Sequence, residues 1–175
     1  MENQCPYNFK TLLPCAVKGG NLELIKWVHS TLNLALNKPN LCTTAIQFKH
    51  WKVFHWLLDN GCEPNDETMM VALNNAQLSL ETLIDIYEYT CNNQLILPKV
   101  AKKGRKDFID WLVNNDEIID LHADWNFIIM GALRGNHLDI LKTAFINCRV
   151  CTKRLQPTEY PELYKWLNKQ GCIEF

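Results

Sequence analysis

Residues 49–62 read KHWKVFHWLLDNGC, and this stretch predicts a helix that ends in a turn. A broad apolar stripe runs through it at helical spacing and is made of Val53, Phe54, Trp56, Leu57 and Leu58. The Asn-Gly pair that follows supplies the left-handed stop with which helices often end. The same pattern returns at residues 21–29, 105–115, 136–144 and 162–172.

A shorter apolar segment precedes most copies of this helix. Superposing the short segments aligns one small residue in each, namely Ala16, Ala45, Ala72, Val100 and Ala132. Their spacings are 29, 27, 28 and 32 residues. Two helices recurring near this period are the signature of a helical solenoid, in which stacked neighbours build the core. We therefore predict an all-α solenoid of about five repeats in a single domain, with repeats near 11–39, 40–66, 67–94, 95–123 and 124–147 and a C-terminal cap at 148–175.

Several residues predict where helices begin. Asn40, Asp66 and Asp124 stand where N-caps are expected, just before apolar segments. Pro161 stands where a first helical residue is expected.

Composition narrows the class of protein. The chain has 175 residues, a net charge of −1 and 47% hydrophobic residues, which suits one folded domain. A charge this small argues against bulk attraction to nucleic acid or membrane. The sequence shows neither a secretory leader nor an apolar run of about 20 residues. We therefore expect a cytoplasmic protein, with the nucleus as the alternative, and free thiols on its eight cysteines.

Several segments resemble ankyrin repeats. GGNLELIKWV and GNHLDILK are similar to the G-H-L-E-V-V-K-L-L segment of that family, and Thr11, Leu13 and Ala16 fall on its T-P-L-H-x-A signature. WLLDNGCEPNDETMMVAL is similar to a Trp-rich variant found in large DNA viruses of protists and in some algae and oomycetes. These repeats are shorter than the usual length of about 33 residues, and the hairpin residues are largely missing. We expect helical pairs with reduced hairpins.

The resemblance implies a non-enzymatic scaffold that binds another protein, a host protein if the chain is viral. It carries over no catalytic residue and no cofactor. The lone C-x-x-C of Cys148 and Cys151 lacks the second ligand pair that zinc needs, so we expect no metal site. His137 replaces an apolar residue of its repeat, where it could form a hydrogen bond between repeats.

The resemblance also places the end of each short helix on a concave face, with the longer helices at the convex back. Two positions beyond the aligned small residues, the chain has Lys18, Gln47, Asn74, Lys102 and Arg134. All five are polar and none is acidic, in a chain with 19 acidic residues. We therefore predict a concave surface for an acidic partner protein, which Lys103 extends and to which Phe48 adds apolar contact.

Other interpretations stay open. Residues 99–106 (KVAKKGRK) hold five cations, and with Lys153 and Arg154 they would serve a nucleic-acid-associated protein, the second hypothesis. Acidic residues follow that segment closely, so local neutralisation is the simpler interpretation. A structural subunit of a larger assembly is a third hypothesis.

The repeated tryptophans also have two interpretations. Trp27, Trp56, Trp111 and Trp166 share one helical phase. That phase predicts packing between repeats, and the alternative is an exposed aromatic ladder for binding.

Overall fold

A computed structural model describes residues 9–75, 78–90, 92–115, 123–148 and 161–169. All regular structure within these ranges is helical, which confirms the all-α prediction. The chain divides into two compact units, Met1–Cys91 and Asn92–Phe175, called unit 1 and unit 2 below. Among the described residues, no helix has both the length and the apolar character needed to cross a membrane.

Unit 1 is built from helices that follow one another in pairs. They are α1 (Phe9–Lys18), α2 (Leu22–Leu32), α3 (Pro39–Gln47), α4 (Trp51–Asp59), α5 (Asp66–Ala72) and α6 (Leu80–Tyr87). Within each pair the first helix packs on the second, and the first helices α1, α3 and α5 pack on one another in chain order. Ala16, Ala45 and Ala72 are buried at these contacts, so the small residues lie on the faces where the first helices meet.

Unit 2 repeats this arrangement. Its helices are α7 (Asn93–Lys102), α8 (Lys106–Val113), α9 (Ala123–Gly135), α10 (Leu138–Cys148) and α11 (Pro161–Lys169). The first helices α7 and α9 pack on each other, α7 also packs on α8, and α10 contacts α8, α9 and α11. Val100 and Ala132 are completely buried. Each unit therefore buries its apolar residues by stacking one first helix on the next.

Two predicted N-caps are wrong by one or two residues. Asn40 lies inside α3, which begins at Pro39 because proline is preorganised for the first helical position. Asp66 is the first residue of α5, and Asn65 is its cap. The Asn65 side chain accepts from the Thr68 N–H at 3.0 Å while the Thr68 hydroxyl accepts from the Asn65 N–H at 3.3 Å. This reciprocal capping box satisfies two otherwise unpaired donors, so Asn65 is preferred to its neighbour.

Two other helix starts are resolved. Asp124 is buried and lies in the first turn of α9. Because α9 already includes Ala123, the predicted role of Asp124 as the N-cap is wrong. Pro161 is the first residue of α11, as predicted.

The tryptophans do not share one environment. Trp27 is 55% exposed. Ile25 and Val28 take the buried face of α2, and Trp27 lies outside that face, toward solvent. Predicted packing between repeats is therefore wrong for Trp27. Trp56 is half-buried and meets the His29 ring edge-on, with centroids 5.9 Å apart. Trp111 and Trp166 are also half-buried.

Candidate partner-binding site

The predicted binding residues all lie at the ends of first helices, and all are exposed. We call Lys18, Gln47, Phe48 and Asn74 the unit 1 row, and Lys102, Lys103 and Arg134 the unit 2 row. Counting from the buried small residues therefore located exposed positions correctly in both units. Cations at helix C-terminal ends are also favoured by the helix dipole, which helps explain why no acid occurs there.

A histidine positions the first helix end of unit 1. His50 stands at the N-cap of α4, and its Nε2 lies 3.0 Å from the carbonyl oxygen of Lys18. The imidazole packs on Gly20, which has a left-handed φ of 70°. A Cβ built on Gly20 would lie 2.5 Å from ring atoms of His50, so a side chain has no room there. This contact fixes the end of α1 against the turn between α3 and α4.

The same device recurs in unit 2. His137 precedes α10, and its Nε2 lies 3.0 Å from the carbonyl oxygen of Lys102. Its ring packs on Gly104, which has a φ of 72°. The hydrogen bond predicted for His137 is thus present. His50 was not predicted to form one, although it also stands immediately before the second helix of a pair.

Phe48 and Lys18 form the most developed part of the unit 1 row. The Phe48 ring stacks on His50 at an interplanar angle of 15°, with centroids 6.4 Å apart. Lys18 Nζ lies 5.4 Å from the centroid of the Phe48 ring, within range of a cation–π interaction. Phe48 nevertheless keeps 41% of its surface exposed. The cluster therefore presents a partly exposed aromatic ring with a cation above it.

The row cations differ from two other lysines of the chain in their partners. Within the part of the chain that the structure describes, none of Lys18, Lys102, Lys103 and Arg134 forms an ion pair. Lys26 and Lys165, in contrast, pair with Glu23 and Glu162 along their own helices. The charge of the rows is thus not neutralised by neighbouring described acids.

The basic segment at residues 99–106 is partly neutralised by the acids that follow it. Arg105 donates to both carboxylate oxygens of Asp107, at 2.9 and 2.7 Å, and Lys106 donates to Asp110. The hydrogen-bonded Arg105 guanidinium lowers the pKa of the Asp107 carboxyl below its usual range, despite partial burial. Two of the five cations are thus committed locally. Lys153 and Arg154, the other residues of the nucleic-acid hypothesis, lie outside the described residues.

Possible metal ligands are not clustered in the part of the chain that the structure describes. No group of three or more His, Cys, Asp or Glu side chains is placed to hold a metal ion in the described ranges. The predicted pair Cys148 and Cys151 falls outside the residues whose side chains are described.

Comparison with known proteins gives no relative: no protein-family model, curated protein or solved structure matches this chain.

Proposed function

We propose that this protein is a non-enzymatic, ankyrin-like interaction module that binds an acidic partner protein through the exposed ends of its first helices. The paired helices, the stacking of first helices within each unit and the repeat-like sequence support the solenoid part of this proposal. On this proposal the chain acts in the cytoplasm, on a host protein if it is viral, and uses no cofactor.

The exposed Phe48 ring beneath Lys18 carries the proposal. Binding energy at protein interfaces concentrates in a few ordered aromatic and basic side chains. Phe48 is held by His50 on one side, so little side-chain entropy is lost when a partner covers it. The row cations then select an acidic partner and speed the encounter.

Charge reversal at the unit 2 row tests the proposal. A partner is first captured with the intact protein from the native host and purified. We expect Lys102→Glu plus Arg134→Glu to slow association at least tenfold, because electrostatic steering acts mainly on the association rate. Thermal stability should fall only slightly, since both side chains are exposed and the helix dipole disfavours each new negative charge by less than about 1 kcal/mol. Surface plasmon resonance gives the rates, and differential scanning calorimetry gives the melting temperature.

The matched control reverses two exposed lysines on second helices. Lys26→Glu plus Lys52→Glu changes the net charge by the same amount but lies on α2 and α4. We expect it to leave association largely intact. If the control pair abolishes binding while the row pair does not, the row assignment is wrong.

Phe48→Ala tests the aromatic part. We expect dissociation to accelerate by at least tenfold, because a central aromatic contributes mainly to the lifetime of a complex.

The salt dependence of binding distinguishes the nucleic-acid alternative. Phosphate binding weakens steeply and linearly on a log–log plot of affinity against salt, whereas a partly apolar protein interface responds less.

A further inference from the structure

Two cysteine side chains meet inside unit 1, although 20 residues separate them in sequence. Cys42 lies in α3, and Cys62 follows the turn that ends α4. Their sulfur atoms are 2.7 Å apart, and both residues are buried free thiols. That separation is only about 0.65 Å longer than a disulfide bond of about 2.05 Å.

The surroundings of the pair also favour reaction at one sulfur. The Cys42 thiol donates to the Cys62 sulfur, and the Cys62 thiol lies 3.4 Å from the carbonyl oxygen of Lys38. Hydrogen bonding from Cys42 stabilises a thiolate on Cys62 and lowers its pKa, and the same bond raises the pKa of Cys42. Cys62 is therefore the better nucleophile of the two.

The residues on both sides of Cys62 in the chain are in contact with solvent. The residue is followed by Glu63 and preceded by Gly61, which are both exposed, and it stands in the non-helical segment between α4 and α5. Because Cys62 is buried, peroxide reaches its sulfur only when this segment moves. No third ligand accompanies the two thiols among the described residues, so the pair is short of donors for a metal site.

We propose that Cys42 and Cys62 are a redox modification site, at which hydrogen peroxide converts the two thiols to an intramolecular disulfide. The Cys62 thiolate attacks one peroxide oxygen, so that an S–O bond forms and the O–O bond breaks. The departing hydroxide takes a proton and leaves as water, and Cys62 becomes a sulfenic acid. The Cys42 sulfur then attacks the Cys62 sulfur, the S–S bond forms, and the hydroxyl leaves with the Cys42 proton as a second water.

The disulfide would close a loop over residues 42–62, which contains all of α4. It would tie α3 to the segment after α4 and so fix the helix that presents Gln47 and Phe48. Closing such a loop restricts the unfolded chain and thereby stabilises the folded one. This inference does not depend on the proposed function.

Peptide mapping of the intact protein tests the site. The reduced full chain is treated with stoichiometric hydrogen peroxide, its remaining thiols are alkylated under denaturing conditions, and the digest is analysed by mass spectrometry. We expect one dominant linked peptide pair containing Cys42 and Cys62, lost on treatment with dithiothreitol. The unfolding temperature should rise by on the order of 10 °C on oxidation and return on reduction.

The controls separate this pair from general thiol oxidation. Cys42→Ala should abolish the linked peptide and the rise in unfolding temperature. Cys15→Ser removes an exposed thiol of the same unit and should leave both intact. The proposal is overturned if the wild-type chain yields links scattered over other cysteines. It is also overturned if Cys15 is oxidised while Cys42 and Cys62 stay reduced, a result that needs no variant to fold.

Discussion

The two units use one device and surround it differently. In each, a histidine before a second helix donates a hydrogen bond to the carbonyl of a lysine that ends a first helix. The histidine ring also covers a glycine of left-handed φ, which lies two residues after that lysine. Two residues before the histidine, unit 1 has the exposed Phe48, whereas unit 2 has Gly135. A Cβ on Gly135 would collide with the Lys102 carbonyl and with the His137 ring.

The difference continues along the same helices. Gly131 lies one residue before the aligned small residue Ala132 and packs against the backbone of Pro98. In unit 1 the residue before the aligned Ala45 is Thr44. The first helices of unit 2 thus meet through glycine. The histidine forms its hydrogen bond at 3.0 Å in both units, whether phenylalanine or glycine stands two residues before it. Unit 1 leaves room for an aromatic side chain that turns outward, whereas the corresponding helix end in unit 2 has room only for glycine.

The largest expected effect contrasts a core tryptophan of unit 2 with a surface tryptophan of unit 1. Trp125 is 1% exposed and Trp27 is 55% exposed. We expect Trp125→Ala to lower the free energy of unfolding by about 3–5 kcal/mol, as core aromatic truncations do. Trp27→Ala should change it by no more than about 0.5 kcal/mol. Urea unfolding followed by circular dichroism measures both, and equal losses would show that α2 is covered in solution.

The next effect tests the close approach of α7 and α9. Alanine favours a helix over glycine by about 1 kcal/mol, but at Gly131 its Cβ would run into the carbonyl of Pro98, which is held by its helix. We expect Gly131→Ala to destabilise by about 2 kcal/mol net, because overpacking forces the backbone to move.

The matched substitution in unit 1 is Thr44→Ala. The Thr44 hydroxyl donates to the Asn40 carbonyl within its own helix, a bond that does little for stability. We therefore expect a change within about 0.5 kcal/mol. Urea titration measures both variants. If Gly131→Ala proves more stable than the parent chain, then α7 and α9 lie further apart than the structure shows.

These contrasts show what the sequence could and could not predict. The helices and the exposed rows were predictable, because a 3.6-residue period and a small buried residue fix which positions face the neighbour. The cap at Asn65 was missed because Asn65 and Asp66 are both good caps, and only backbone geometry chooses between them. Trp27 was misplaced because a broad apolar stripe does not say which edge is covered. The contact between Cys42 and Cys62 depends on packing across a turn, which periodicity does not report.

The smallest expected effect concerns how the second helices begin. Unit 1 caps α2 with the Asn21 side chain, which accepts from the Leu24 N–H at 3.0 Å. In unit 2 the N-cap of α8 is Arg105, whose side chain forms no such cap bond and instead pairs with Asp107 at 2.7 Å. The second arrangement depends on pH, because it requires an ionised carboxyl.

Arg105 lowers the folded-state pKa of Asp107 below the unfolded value. The ionised carboxylate therefore stabilises the folded chain above the unfolded pKa, and this stability is lost as the pH falls through the folded pKa. The Asp107 side chain is 45% exposed, so solvent screening limits the gain to within about 0.5 kcal/mol. We expect Asp107→Asn to cost this much at neutral pH and to flatten the acid limb of stability measured by urea unfolding. In an Arg105→Gln background the same substitution should change nothing, and an undiminished effect there would show that the dipole of α8, rather than Arg105, favours the carboxylate.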